Sequence, residues 1–265
     1  MTIHESEKVR GPMITSPGAD VKVVADKNPE YNGKSEKYVE VTEQDRIKRF
    51  VQFKEFLRLI GDVNGKKVLD VGCGNGKPTR DMARMGAEVI GYDVSEELIN
   101  IAKKIEEKTP LGIKYFAAGG PPEGYSDFDL VSAVMVLPCA ENQEQLNGMF
   151  HDAYSSLKDK GRFVSILLNP EFKRLGEIVC NRRFTKREDG RLDANFFNDN
   201  GTIRLSVIGT AFSKEVLLQT ALQAGFKDVR FEPLHVQIED LSEEEKAFFV
   251  GFEEDCPYMG LVCTK

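Results

Sequence analysis

From residue 66 to residue 168 the chain alternates between short apolar runs and helix-length amphipathic stretches. That rhythm restricts it to a mainly parallel sheet covered by helices on both faces, because parallel neighbours need crossover connections and bury both sides of each strand. Strands are expected at KKVLDV (66–71), AEVIGYDV (87–94), IKYFAA (113–118), FDLVSAVMVL (128–137) and GRFVSILL (161–168). Helices are expected from Pro78 onward, over SEELINIAKKIEEK (95–108) and over QEQLNGMFHDAYSSLK (143–158). Ser95 is a suitable N-cap with Glu96 and Glu97 in the positive first turn, and Leu98 rules out a capping box.

The flanks read differently. Residues 1–30, with Gly11-Pro12 and Pro17-Gly18, have the composition of a flexible tail. Residues 31–60 supply an N-terminal lid. Its helix is expected over 42–60, capped by Thr42, with Ile47, Phe50, Val51, Phe53, Phe56, Leu57 and Ile60 at helical spacing and Gly61 as its stop. After Asn169-Pro170 the βα rhythm ceases. Asp189-Gly190 and Asn200-Gly201 are hairpin signals, so residues 171–212 are expected to form an antiparallel insertion. A helix (213–225), a strand at KDVRFEPLHVQI, a helix at EEEKAFFVGFEE and a last strand at MGLVCTK complete one domain over 31–265.

Composition narrows the function. A net charge of −7 argues against a nucleic-acid partner, which needs a basic field. No secretory signal and no bilayer-length apolar run is visible, so no membrane role is expected and a cytoplasmic location is the default. The five cysteines are scattered and include no CxxC pair, so neither a metal site nor a disulfide framework is expected, and Cys73 reads as a small packed residue.

The chemistry is concentrated at VLDVGCGNG (68–76). A dinucleotide site wants G-x-G-x-x-G, with the pyrophosphate on the helix N-terminus. Here Gly72, Gly74 and Gly76 give G-x-G-x-G, and Lys77 stands where the dinucleotide pattern would end. Asp70, two residues before the first glycine, would repel a pyrophosphate and attract a cationic ligand; S-adenosylmethionine carries an ammonium and a sulfonium and no phosphate. The alternative for Asp70 is a strand-end residue satisfied by backbone N–H groups. Asp93, at the tip of the second strand, is placed to accept hydrogen bonds from ribose hydroxyls, a role that serves any adenosine cofactor. Ser95 is better placed than Asp93 to cap the following helix.

VLDVGCGNG followed by VIGYDVSEELINIAKK resembles motif I and its successor in class I S-adenosylmethionine-dependent methyltransferases, and the likeness extends over about residues 60–168, with LKDKGRFVSI as the entry to strand five. The overall layout is similar to small-molecule methyltransferases of the toxoflavin-biosynthesis type. This resemblance implies a doubly wound, Rossmann-like seven-stranded α/β sheet and methyl transfer to nitrogen or oxygen of a small organic acceptor. It implies that Gly72, Gly74 and Gly76 line the methionine part and ribose, that Val94 packs on adenine, and that Val134 and Met135 border the methyl donor. Many members carry Gly-Asp-Ala after strand three. This chain reads FAAGGPPEGY, which leaves backbone groups at Ala118 and Gly119, or the carboxylate of Glu123, to meet the adenine amino group.

Other candidates are fewer. Of the three histidines, His4 lies in the tail, His151 is mid-helix and reads as a surface or packing residue, and His235 is the candidate catalytic base if the sixth strand reaches the substrate. Tyr31 and Tyr38 are placed for a lid over the cofactor, with simple aromatic packing as the alternative. Phe184, Phe196 and Phe197 either line an apolar substrate slot or fix the insertion to the sheet. Arg182-Arg183 and Lys186-Arg187 read either as a solvated face or as recognition of an anionic acceptor group. The (Asp/Asn)-Pro-Pro-(Tyr/Phe) signature of nucleic-acid amino-methylation is replaced by LPCAEN. A degenerate, non-catalytic cofactor-binding subunit is the alternative, and a homodimer is compatible with the sequence.

Overall fold

The computed structural model describes residues 35–265. The expected tail, His4 and Tyr31 lie outside the described residues. Seven strands form the main sheet: β1 (Lys67–Val71), β2 (Glu88–Asp93), β3 (Lys114–Ala117), β4 (Phe128–Val134), β5 (Leu157–Leu168), β10 (Asp228–Pro233) and β11 (Tyr258–Thr264). Their order is β10-β11-β5-β4-β1-β2-β3. Neighbours from β3 through β5 pair in parallel, and β11 runs antiparallel between β5 and β10. This is the class I methyltransferase, Rossmann-like α/β architecture expected from the sequence.

The helices are α1 (Ser35–Glu43), α2 (Phe53–Ile60), α3 (Lys77–Arg84), α4 (Glu96–Lys108), α5 (Gln143–Ser156), α6 (Lys214–Ala224) and α7 (Glu243–Phe248). Alternation along β1 sends Val68 to a core shared with Val51, Phe56 and Met82, and Leu69 to the opposite core with Phe150, Phe163 and Leu217. Caps start the helices where the sequence offers them: the hydroxyls of Ser95 and Ser213 accept from Leu98 N and Val216 N, and Gly225, with φ 113°, ends α6.

Three expectations are corrected. The lid is not one helix from Thr42. Thr42 sits in the last turn of α1 and donates to Val39 O, whereas Asp45 Oδ1 accepts from Lys48 N and starts the next helical stretch. That stretch opens with a π-helical segment, Lys48–Gln52, before continuing as α2. Strand β5 begins at Leu157 because a register shift lets Leu157 pair with Phe128 before Arg162 resumes opposite Leu130. Strand β10 ends at Pro233, so His235 lies in the loop beyond it.

The insertion is a separate four-stranded antiparallel sheet of β6 (Ile178–Val179), β7 (Arg182–Lys186), β8 (Leu192–Phe197) and β9 (Ile203–Gly209). Both hairpin signals turn where expected, Gly190 at φ 83° and Gly201 at φ 80°. Buried aromatic edges fix this sheet to the main one: Phe184 packs edge-on to Tyr258 of β11 at 6.0 Å and to Phe172 at 5.7 Å.

Candidate active site

The C-terminal ends of β1 and β4, the α1–α2 segment and the start of α3 surround a cavity of about 320 Å³. In an open parallel sheet this is the edge where ligands bind. Asp70, Gly72, Gly74, Val134, Met135 and Tyr38 all line it.

Asp70 is the most constrained residue there. It is 1% exposed, and Thr79 Oγ1 and Ser132 Oγ donate to its two carboxylate oxygens at 2.6 and 2.7 Å. The partners are therefore side-chain hydroxyls from α3 and β4, not the backbone N–H groups considered from sequence. Burial pushes its pKa up to about 6; the two hydroxyl bonds oppose the shift and the nearby Asp93 charge adds to it. Two neutral donors leave the charge uncompensated, which suits a site that receives a cation.

The glycine turn holds left-handed backbone at Gly72, Gly74 and Gly76, with φ of 59°, 55° and 78°. The three positions differ in space. A Cβ on Gly72 would lie 2.5 Å from Val136 Cγ2, so internal packing forbids a side chain there. A Cβ on Gly74 would meet only Leu98 Cδ1, at 4.0 Å, so the room beside it belongs to the cavity. Two contacts hold the turn in place: Arg80, itself buried, donates to Asn75 O at 2.6 Å, and Gly74 N donates to Asp93 Oδ2 at 2.9 Å.

Asp93 stands at the end of β2, beside rather than in the cavity lining. Its other oxygen accepts from Ser95 N at 2.8 Å, and burial raises its pKa against these two backbone bonds. Each carboxylate oxygen keeps a second lone pair for a further donor. Val94 is 54% exposed next to it. Ala118 N donates to Asp93 O, which fixes the loop after β3 against this corner, while Gly119 and Glu123 are exposed. Gly76, Asp93, Val94, Ala118 and Gly119 are thus gathered at the β2–β3 side of the turn, outside the lined cavity.

Sequence reasoning missed several of the wall residues, namely Glu43, Lys48, Arg49, Phe53 and Asn75. Lys48 Nζ donates to Tyr38 Oη at 3.2 Å, and Lys77 is paired with Asp81. For Glu43, Lys48 and Arg49 the signal available was positional, as polar residues interrupting the apolar stripe of the 42–60 segment; Asn75 lies within the glycine turn itself.

Two other expectations change. His235 is exposed, 4.0 Å from Glu253 across a different depression lined by Lys173, Lys214 and Asp255, and is not part of the cavity beside Asp70. The Arg182–Arg187 run is not one basic surface, because strand alternation splits it. Arg182 points inward, is 2% exposed, pairs with Asp45, donates through Nε to Tyr258 Oη at 3.1 Å and stacks on Phe196 at 3.7 Å. Arg187 pairs at the surface with Asp193. His151 is a surface residue beside Asp152, as expected.

The residues present fit S-adenosylmethionine better than a dinucleotide. A buried carboxylate stands before the turn, a second at the end of β2 accepts from Gly74 N, and the lysines close to the turn are already engaged by Asp81 and Tyr38.

Comparison with known proteins agrees. Residues 68–161 match the family model described as a methyltransferase domain. A demethylmenaquinone methyltransferase from Tropheryma whipplei is 34% identical over 107 residues, covering 40% of this chain and 44% of the relative. The mitochondrial ubiquinone biosynthesis O-methyltransferase of Schizosaccharomyces pombe is 36% identical over 105 residues, 38% of this chain and 37% of that one. The chain thus spans less than half the length of these curated relatives. A solved S-adenosylmethionine-dependent methyltransferase from Mesorhizobium loti superposes with a TM-score of 0.59 at 17% identity, over 84% of this chain and 100% of that one, a likeness of fold. Residues 68–161 therefore carry a methyltransferase-domain match within a class I methyltransferase fold, and the cofactor they imply is S-adenosylmethionine.

Proposed function

We propose that this chain transfers a methyl group from S-adenosylmethionine to oxygen or nitrogen of a small organic acceptor. The observation that carries this reading is Asp70, a buried carboxylate with only hydroxyl donors, set against a left-handed glycine turn on the wall of a cavity. Asp70 receives the ammonium group, the backbone of Gly72–Gly76 follows the methionine part and ribose, and Asp93 accepts from the ribose hydroxyls. Val94 covers adenine, with backbone groups at Ala118 and Gly119 beside it. Val134 and Met135 border the reacting end, under the Tyr38–Lys48 pair of the lid.

When bound, the cofactor supplies a methyl group already activated by its sulfonium. The protein's task is then to align the acceptor and exclude water. An amine loses its proton after attack, so no base is required for it; a phenol or alcohol gains from one. The similarity to the ubiquinone biosynthesis O-methyltransferase favours oxygen; the demethylmenaquinone methyltransferase does not specify the atom. The narrower likeness to the toxoflavin-biosynthesis type stays one of layout, in the insertion after β5 and the late strand β11.

Turnover is tested by incubating the chain with S-adenosylmethionine and a panel of phenols and amines, with methylated product and S-adenosylhomocysteine read by mass spectrometry. Product formation supports the enzyme. Tight S-adenosylhomocysteine binding without product from any acceptor supports the alternative of a cofactor-binding partner subunit.

A further inference from the structure

We propose that a small chamber beside the cofactor cavity receives the acceptor, and that Gln52 selects acceptors which present a hydrogen-bond donor on an otherwise apolar frame. The inference rests on the methyl-transfer reading above and specifies its substrate.

The chamber has a volume of about 70 Å³ and shares Tyr38, Lys48 and Met135 with the cofactor cavity. Its roof is the insertion, with Phe184, Ala194, Phe196, Val207 and Gly209 facing in, and its floor is Leu168 and Tyr258 of the main sheet. Most of this wall is apolar. The Arg182 guanidinium in it is already satisfied by Asp45 and Tyr258, and the Lys48 ammonium on the shared wall donates to Tyr38 Oη.

Gln52 is the exception. The residue is 1% exposed, lines the chamber, and its Oε1 is buried with no hydrogen-bond partner among the described residues. A buried acceptor left unsatisfied is costly, and such groups are rare in folded proteins. Two backbone features mark the same place. Gln52 ends the π-helical segment Lys48–Gln52, a geometry that concentrates at functional sites. Met135, on the shared wall, holds φ 60° without being glycine. A donor carried by a ligand would satisfy Oε1 while the rest of the ligand fills apolar space.

Size restricts the ligand further. The chamber holds about half of the roughly 150 Å³ that accommodates a benzene ring. It therefore takes the donor-bearing edge of a ring, with the remainder directed through the shared wall towards the methyl donor. A catechol or an aminophenol meets these demands, with one donor on Gln52 Oε1 and the other oxygen or nitrogen facing the methyl donor; a sugar does not, because most of the wall is apolar.

The test uses the full chain saturated with S-adenosylhomocysteine, titrated with phenol and with toluene, which differ by hydroxyl against methyl on the same ring. Phenol is expected to bind about tenfold more tightly, the scale of one buried hydrogen bond. In Gln52→Met the order should reverse in favour of toluene, with thermal melting confirming the fold and Gln52→Leu as a second variant. In the unaltered protein the Gln52 side-chain amide NMR signals should shift with phenol and not with toluene, a readout that needs no variant. Equal affinity for the two probes, binding of neither, or a phenol preference that survives both variants overturns the inference while leaving methyl transfer standing. Failure of S-adenosylhomocysteine itself to bind overturns both.

Discussion

Replacing Asp70 by asparagine separates what this residue does for the ligand from what it costs the fold. Its pKa, pushed up by burial from the ordinary carboxylate range to about 6, means that at neutral pH the folded protein holds an ionised carboxylate that burial disfavours. About two pKa units correspond to roughly 3 kcal/mol of destabilisation, at 1.36 kcal/mol each. Asparagine removes this charge. It also exchanges one of the two hydroxyl bonds from Thr79 and Ser132 for a poorer one, a loss of about 1 kcal/mol. The unliganded variant is therefore expected to be more stable than the parent by about 1–2 kcal/mol at pH 7. The sign with pH follows from the raised value. Between about pH 4 and pH 6 the folded state binds more protons than the unfolded one, so the parent gains stability as pH falls through 6. By pH 5 the advantage of the variant should have shrunk by about 1 kcal/mol. Cofactor binding should move the other way, weakening by about ten- to a hundredfold, the range for losing one charged hydrogen bond. Urea denaturation at the two pH values and calorimetry with S-adenosylhomocysteine measure both sides. An Asp70→Asn protein that is less stable at pH 7, or that binds the nucleoside unchanged, would refute the argument.

Further outcomes follow from other contacts. Asp93→Ala should weaken S-adenosylhomocysteine by roughly 1–3 kcal/mol, since it removes the acceptor for ribose and the partner of Gly74 N; unaltered calorimetric affinity counts against the ribose assignment. Affinity of the parent for S-adenosylmethionine should fall as pH drops from about 7 through about 6, where Asp70 takes up a proton; an affinity unchanged between pH 7 and pH 5 removes Asp70 from the site. Asp45→Asn should destabilise by about 3–5 kcal/mol, because it leaves Arg182 buried without its counter-ion. Burial acts to raise the Asp45 carboxyl, but Arg182 and the Lys48 N–H outweigh it and hold it below the usual range, so this contribution is present above about pH 4 and lost as pH falls through the lowered value. Gly72→Ala should unfold or distort the turn through contact with Val136, seen as a lower melting temperature and lost nucleoside binding; an unchanged melting temperature refutes the packing argument.

The main sheet was readable because parallel strands buried on both faces must be apolar runs separated by amphipathic helices, and Val68, Leu69, Val131 and Val164 obey that pattern. The hairpins of the insertion were equally plain, since Asp-Gly and Asn-Gly supply the left-handed residue each turn needs. The lid was misread for a physical reason. Thr42 and Asp45 are both good cap residues three positions apart, and only the buried partnership of Asp45 with Arg182, far along the chain, decides between them. The same long-range pairing removes Arg182 from the surface cluster to which its sequence neighbours assigned it. Asp70 and Asp93 stood out in the sequence as candidates because acids at strand tips beside glycines are few. Gln52 could not, because its meaning lies in the absence of a partner for one atom, which only the packed structure reveals.

The central claim is that an aspartate beside a glycine turn favours a nucleoside with a positively charged tail over a diphosphate. Parallel calorimetric titrations with S-adenosylhomocysteine, methylthioadenosine and NAD test it directly. The account predicts that S-adenosylhomocysteine binds, that methylthioadenosine, lacking the ammonium group, binds more weakly, and that NAD gives no heat. Binding of NAD, or equal affinity for the two sulfur nucleosides, would contradict it.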